Sequence, residues 1–267
     1  MMIGQENLLK KLSSFTIDNL PHSLLLLGER GSFQKEVSEW LADRFNLDLF
    51  DLTKLTDFNE FISTIGGNPI PTLYTINLLE FNDPKDSKQN TLLKLVEEPN
   101  SYSYIFIYGE NNSQIIDTLR NRSYIIQSGS YSRDDLLPLI TGDVEMTLGI
   151  CNTPGQVEVA NNTDLKYLNN LCDNIIDNIK VASLPNTLSI SNKINFSDEY
   201  NKLDLFLFIR CLGNKLTERT IRSQSYQLVY LRLLSMQKKI WLVRDKKQQF
   251  ENFLINMWLI SREISLQ

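Results

Sequence analysis

The sequence predicts an α/β fold, a five-stranded parallel sheet with helices on both faces, followed by a small helical segment and an all-helical C-terminal region. Three observations carry this. Residues 1–127 alternate short apolar runs with amphipathic stretches, the pattern of strands separated by helices in a parallel sheet. Leu24-Leu25-Leu26-Leu27 runs straight into Gly28, as does a strand buried on both faces and closed by a turn. After Gly129 no strand pattern returns, and helical spacing takes over.

Taken in order, Leu8, Leu9, Leu12 and Phe15 follow helical spacing, and Leu24–Leu27 is the first strand. Val37, Trp40, Leu41 and Phe45 fit the next helix. Leu47 to Leu52 reads as a strand, and Phe58, Phe61, Ile62 and Ile65 as a helix stopping at Gly66-Gly67. Leu73 to Leu79 is the third strand; a helix with Leu92, Leu93, Leu95 and Val96 stops before Pro99. Ile105 to Tyr108 is the fourth strand, Ile115, Ile116 and Leu119 lie on a short helix, and Tyr124 to Ile126 is the fifth. Beyond Thr153-Pro154-Gly155, Asp164 caps a helix carrying Leu165, Leu168, Cys172, Ile175, Ile176 and Ile179, which Leu184-Pro185-Asn186 breaks. Further helices are expected at roughly 197–216, 218–244 and 247–265. In the second of these, Tyr226, Val229, Tyr230, Leu233 and Met236 form one stripe and Leu228, Leu231 and Leu234 another. A helix apolar on two sides is buried between neighbours or shared with another chain.

The 267 residues are 42% hydrophobic and 22% charged, enough for a sizeable core and unlike a disordered chain. No apolar run approaches the roughly 20 residues of a membrane span, and the N-terminus lacks a basic flank and apolar stretch, so a soluble cytoplasmic protein without membrane partners is expected. Cys151, Cys172 and Cys211 are far apart and His22 is the single histidine. Zinc sites and histidine-based catalysis are therefore disfavoured. The cysteines are read as buried small residues, and His22 as orienting backbone. Residues 1–199 carry 15 Lys/Arg against 27 Asp/Glu, whereas residues 200–267 carry 12 against 5. The basic third is either a set of solvated helix faces or a surface for an acidic partner.

In sheets of this type ligands sit beyond the carboxyl ends of strands, which directs attention to Gly28-Glu29-Arg30-Gly31-Ser32-Phe33-Gln34-Lys35. A phosphate-binding loop, G-x-x-x-x-G-K-[S/T], cradles phosphates with backbone amides, neutralises them with lysine and holds magnesium with a hydroxyl. Here Gly28 is in place, but Phe33 stands at the second glycine, Gln34 at the lysine and Lys35 at the hydroxyl. A Cβ at Phe33 disfavours a positive φ, and Lys35, one residue late, is turned about 100° around a helix. The third strand ends Leu78-Leu79-Glu80. Leu79 occupies the place where nucleotide hydrolases carry a metal-binding Asp, and Glu80 is left without a metal to work beside.

Ile3-Gly4-Gln5-Glu6, Pro21-His22-Ser23-Leu24 through Gly28, Thr91-Leu92-Leu93-Lys94-Leu95-Val96-Glu97-Glu98-Pro99 and Leu119-Arg120-Asn121-Arg122-Ser123 occur in this order and spacing. Together they resemble the clamp-loader branch of the AAA+ ATPases, by motif over about the first 160 residues and thereafter only by helical content. Within that branch the altered loop and missing Asp resemble the delta-prime subunits of bacterial DNA polymerase III. The resemblance implies a AAA+ domain with a degenerate nucleotide site over 1–127, a helical lid over 128–162 and a helical collar over 163–267. It implies a non-hydrolysing chain that binds no cofactor, with ATP and magnesium held by a neighbouring subunit. The expected partners are gamma/tau-type ATPase and delta-type subunits, with the sliding clamp and primer-template DNA reached through the complex. Asn121-Arg122-Ser123 stands where the family has Ser-Arg-Cys, so Arg122 is the residue implied to act in trans on the neighbour's ATP, as a fixed fork of donors suits; Arg120 is read as positional.

Three further features bear on the resemblance. Asp43 to Asp57 has no cysteine, so the zinc module of many delta-prime proteins is not expected. Between Arg133 and Arg210 there is no Arg to serve as nucleotide sensor. Asn111-Asn112, where the family has a polar sensor, is read as a turn. The missing zinc module, a length below that of many members and the asparagine-rich composition fit a divergent or phage-encoded version. Two other readings stay open: an adaptor of replication proteins that keeps the fold without loading a clamp, and an active ATPase in which Lys35 and Glu80 work in cis.

Overall fold

The computed structural model describes residues 3–53, 65, 68–78, 87–110, 115–179, 181–196, 203–220, 224–240 and 245–263. Among them the chain divides into two compact units, one of Met1–Asp135 with Thr153–Gly155, the other of Leu136–Asn152 with Gln156–Gln267. The segment 128–162 is thus shared between the two units.

In the first unit the elements run α1 (Glu6–Ser13), β1 (Ser23–Leu27), α2 (Gln34–Phe45), β2 (Asp48–Asp51), β3 (Thr72–Asn77), α3 (Ser87–Glu97), β4 (Ser103–Gly109), α4 (Asp117–Asn121), β5 (Tyr124–Gln127) and α5 (Arg133–Leu136), the last ending one residue into the second unit. The five strands form one sheet in the order β2-β3-β4-β1-β5, every pairing parallel. The four-leucine run explains why β1 lies inside the sheet. Leu25 and Leu27 join Tyr74, Ile76, Leu92, Ile105, Ile107 and Leu119 on one face. Leu24 and Leu26 join Leu8, Leu12, Val37, Leu41, Phe106 and Ile126 on the other. Both sets are buried, each such leucine contributing about 1.5–3 kcal/mol of transfer free energy. The chain leaves β1 toward β2 on one side, while β5 lies on the other, so the crevice of this sheet opens beyond Leu27.

Of the helix expected around Phe58–Ile65, Ile65 alone lies within the described residues, where it is helical and buried; Phe58, Phe61, Ile62, Gly66 and Gly67 lie outside them. His22 Nδ1 is 3.0 Å from the Ser103 carbonyl oxygen and its ring stacks on Tyr104, so it ties the start of β1 to the start of β4.

The second unit is helical: α6 (Val144–Ile150), α7 (Pro154–Asn161, its first two residues in the first unit), α8 (Leu165–Asn178), α9 (Leu184–Leu188), α10 (Leu205–Thr220), α11 (Gln224–Ile240) and α12 (Lys246–Glu263). Asp164 caps α8, its Oδ1 accepting from Tyr167 N at 2.9 Å. Leu184-Pro185-Asn186 does more than break a helix. Proline lacks the N–H that a first turn leaves unpaired and is set near helical φ, so with Ser183 as cap it starts α9. Two-residue strands, β6 (Ile194–Asn195) and β7 (Leu203–Asp204), pair in parallel where helix or loop was expected. They are too short to leave a period-2 signal.

On α11, Val229, Leu233 and Met236 are buried while Leu228 and Leu231 are 43% and 60% exposed. Asp173 on α8 accepts from Lys215 Nζ at 2.6 Å and from Arg219 Nη2 at 3.2 Å, both on α10. The Cys172 and Cys211 thiols are buried and share a hydrogen bond that raises the first pKa and lowers the second. Trp258 Nε1 and Arg262 Nη2 both donate to the Ala182 carbonyl oxygen, at 2.9 and 2.8 Å, so this tryptophan serves packing and a backbone bond. Trp241 lies outside the described residues. Among those residues no helix is long and apolar enough to cross a membrane.

Candidate functional site

The loop after β1 begins at Gly28, whose N–H continues the ladder to Gly109 O at 3.0 Å, and turns through Gly31 at φ +85°. Phe33 then adopts φ 58°, ψ 28°. A positive φ was disfavoured there, and the chain adopts it nonetheless, at roughly 1–2 kcal/mol for a residue with a Cβ. Its ring offsets this by packing edge-on against Tyr131, centroids 6.1 Å apart. Burial raises the Tyr131 pKa, so this phenol stays neutral.

Gln34 opens α2 and is buried. Its Nε2 donates to the carbonyl oxygens of Gly28 at 3.3 Å and Glu29 at 3.1 Å. Ser32 Oγ donates to the same Glu29 oxygen at 2.6 Å. Thr153 Oγ1 donates to Arg30 O at 2.8 Å, and Gly155 N to Gly31 O at 3.0 Å. The carbonyls of four consecutive loop residues are therefore engaged by donors from this chain. Lys35 points away, its side chain 79% exposed and its Nζ 3.6 Å from Glu39. The sequence flagged Gln34 as a lost lysine but not as a donor to the loop; an amide, with two N–H groups, among residues rich in main-chain carbonyls was the available signal. Leu79, Glu80 and Asn111 lie outside the described residues.

Beside this loop, Gln5 is buried and pairs with both backbone groups of Gly129, donating through Nε2 at 3.0 Å and accepting through Oε1 at 2.9 Å. Gly4–Leu8, Lys11 and Ile125–Ser130 line an open groove of about 650 Å³ at this edge of the sheet.

Arg122 caps α4 at its C-terminal end. Its segment is fixed from below: Ser123 Oγ donates to Leu119 O at 2.9 Å and accepts from Ser23 Oγ at 2.8 Å, at the start of β1. The side chain is 43% exposed, with Nε 2.9 Å from Glu97 Oε1 at the end of α3 and Nη1 donating to Thr118 O at 3.2 Å. Arg120 instead pairs with Asp117 at 2.7 Å on its own helix. The structure thus does not bring Arg122 together with Gly28–Lys35 as one described cluster; they are separate features of the first unit. Glu97 carried no assigned role in the sequence, because its partner is 25 positions away and no periodicity links them.

Residues 51–130 match the sequence profile of the family described as DNA polymerase III, delta subunit. Over this segment the chain is similar to that family. A DNA polymerase III, gamma subunit-related protein from Thermotoga maritima superimposes with TM-score 0.52 at 16% identity, over 97% of this chain and all of that one. An arginine-to-alanine variant of RuvB from the same organism gives TM-score 0.49 at 14% identity, over 77% of this chain and 87% of that one. The first likeness shows the fold, a five-stranded parallel sheet with helices followed by a helical region, as the sequence predicted. No curated protein matches.

Proposed function

We propose that this clamp-loader relative is a non-hydrolysing subunit, of the delta-prime kind, that packs against a neighbouring ATPase and supplies Arg122 to that neighbour's ATP. The observation that carries the reading is the state of the loop after β1. The side chain at the lysine position is Gln34, and it is spent on the carbonyls of Gly28 and Glu29. An ammonium there would neutralise phosphate oxygens; an amide bonded to its own loop has no charge to offer. Arg122 supports the second half of the reading. It keeps Nη2 unengaged among the described residues, stands on a short helix pinned to β1, and is half-exposed. The exposed leucines of α11 fit a helical collar shared with other subunits.

The pairing of Arg122 with Glu97 favours a second reading, in which the arginine is a surface ion pair and the chain an adaptor. ATP turnover by the partner ATPase subunits separates the two. With clamp and primed DNA present and ring assembly checked by size, Arg122→Ala lowers turnover at the adjoining site about 10³-fold if it is an arginine finger. Unchanged turnover in an intact ring rejects that role. Equilibrium binding of ATP to the isolated chain tests the loop, and saturable binding in the micromolar range would reject the degenerate site.

A further inference from the structure

We propose that Glu97 is the positioning residue for Arg122, holding its guanidinium by one edge so that the other edge faces a phosphate group on a neighbouring subunit. This rests on the reading of Arg122 given above. The guanidinium carries five N–H donors in one plane. Nε is taken by Glu97 Oε1 at 2.9 Å and Nη1 reaches Thr118 O at 3.2 Å. These two bonds come from different elements, the end of α3 and the first turn of α4, and together they fix the rotation of the plane. Both Nη2 donors are left, among the described residues, without a partner from this chain.

The carboxylate is suited to holding rather than neutralising. At 43% exposure on each side, a pair of this kind adds only about 0–1 kcal/mol to stability, so it is not kept for the fold. A long side chain held at two points has already given up rotamer freedom, which otherwise would be lost when it meets the transferring phosphoryl group. The base beneath it is rigid as well, since Ser123 ties the α4 turn to Ser23 of β1. Glu97 therefore acts through Arg122 and touches no substrate.

The test uses the full chain assembled with its ATPase subunits, clamp and primed DNA, comparing Glu97→Ala, Glu97→Gln, Arg122→Ala and the Glu97→Ala/Arg122→Ala pair. Expected is a fall in kcat of about 10- to 100-fold for Glu97→Ala, the scale of a small misplacement, with the KM for ATP unchanged within twofold. Glu97→Gln, which keeps an acceptor oxygen, recovers most of the rate, and the double variant is no slower than Arg122→Ala. Wild-type turnover for Glu97→Ala alongside a collapse for Arg122→Ala overturns the positioning role and leaves the arginine role standing. Multiplying losses in the double variant also overturn it, because Glu97 would then act elsewhere. Unchanged turnover for Arg122→Ala overturns both. Should Glu97→Ala fail to fold, Glu97→Met, which keeps the stem and removes both acceptor oxygens, takes its place with the same expected fall.

Discussion

The backbone N–H of Gly155 donates to the carbonyl oxygen of Gly31 at 3.0 Å, and a Cβ on Gly155 would stand 2.7 Å from the Gly31 Cα. Backbone meets backbone, so no flexible side chain can swing aside. Gly155→Ala is expected to destabilise by about 1–3 kcal/mol, as overpacking does. Gly149→Ala is the contrast: nothing lies within 4 Å of its Cβ position, and in α6 the exchange should stabilise by roughly 0.5–1 kcal/mol. Urea midpoints of the two variants, moving in opposite directions, check the pair.

Gln34→Met keeps length and bulk while removing both donors to the loop carbonyls. Ser32 still donates to Glu29, so the Gly28 carbonyl is the acceptor that loses its side-chain partner, at a cost of about 1–3 kcal/mol. Thermal unfolding should register this loss, and amide exchange around Gly28 to Ser32 should speed up. A variant as stable as the parent would mean that water replaces the amide at no cost.

Asp173→Asn removes the charge that Lys215 and Arg219 share across α8 and α10. Charge-assisted bonds of this kind contribute about 1.5–3 kcal/mol, and the two cations are largely buried, at 16% and 22% exposure. The variant should unfold at lower denaturant, with a gap from wild type that narrows only slightly in 0.5 M salt. An exposed pair would lose its contribution there.

Burial pushes the Cys151 thiol up to about 12, against an ordinary value of 9.0. A raised folded pKa means that the stabilisation is complete below pH 9 and is lost as pH rises toward 12, because the unfolded chain ionises first. Wild-type stability should decline more steeply over that interval than that of Cys151→Ala. At pH 8 in native buffer, iodoacetamide should leave Cys151 unmodified until denaturant is added.

The parts of this fold legible in the sequence are those written in neighbouring residues. The run Leu24–Leu27, buried on both sides, and the position of Asp164 before its helix are local signals, and both correspond to what forms. The exchange of lysine for Gln34 was equally visible. Its consequence was not, because the bonds to Gly28 and Glu29 depend on a loop held by Phe33 at a φ that a phenylalanine seldom adopts. The link between Glu97 and Arg122 joins two helix ends through tertiary packing, which no spacing rule encodes. The pairing of β6 with β7 was likewise illegible, being two residues long.

Thr153–Gly155 belongs to the first unit although the residues on either side belong to the second. The chain therefore departs at Asp135 and returns for one turn, closing an excursion over 136–152 with two hydrogen bonds, to Arg30 and Gly31. An excursion of that length costs a few kcal/mol of chain entropy to close, which the two bonds help to offset. A fragment cut after Asp135 would keep the whole five-stranded sheet and lose these two donors. Its β1–α2 turn should then be the first part of the sheet domain opened by protease, and a peptide spanning 150–158 added in excess should close it again.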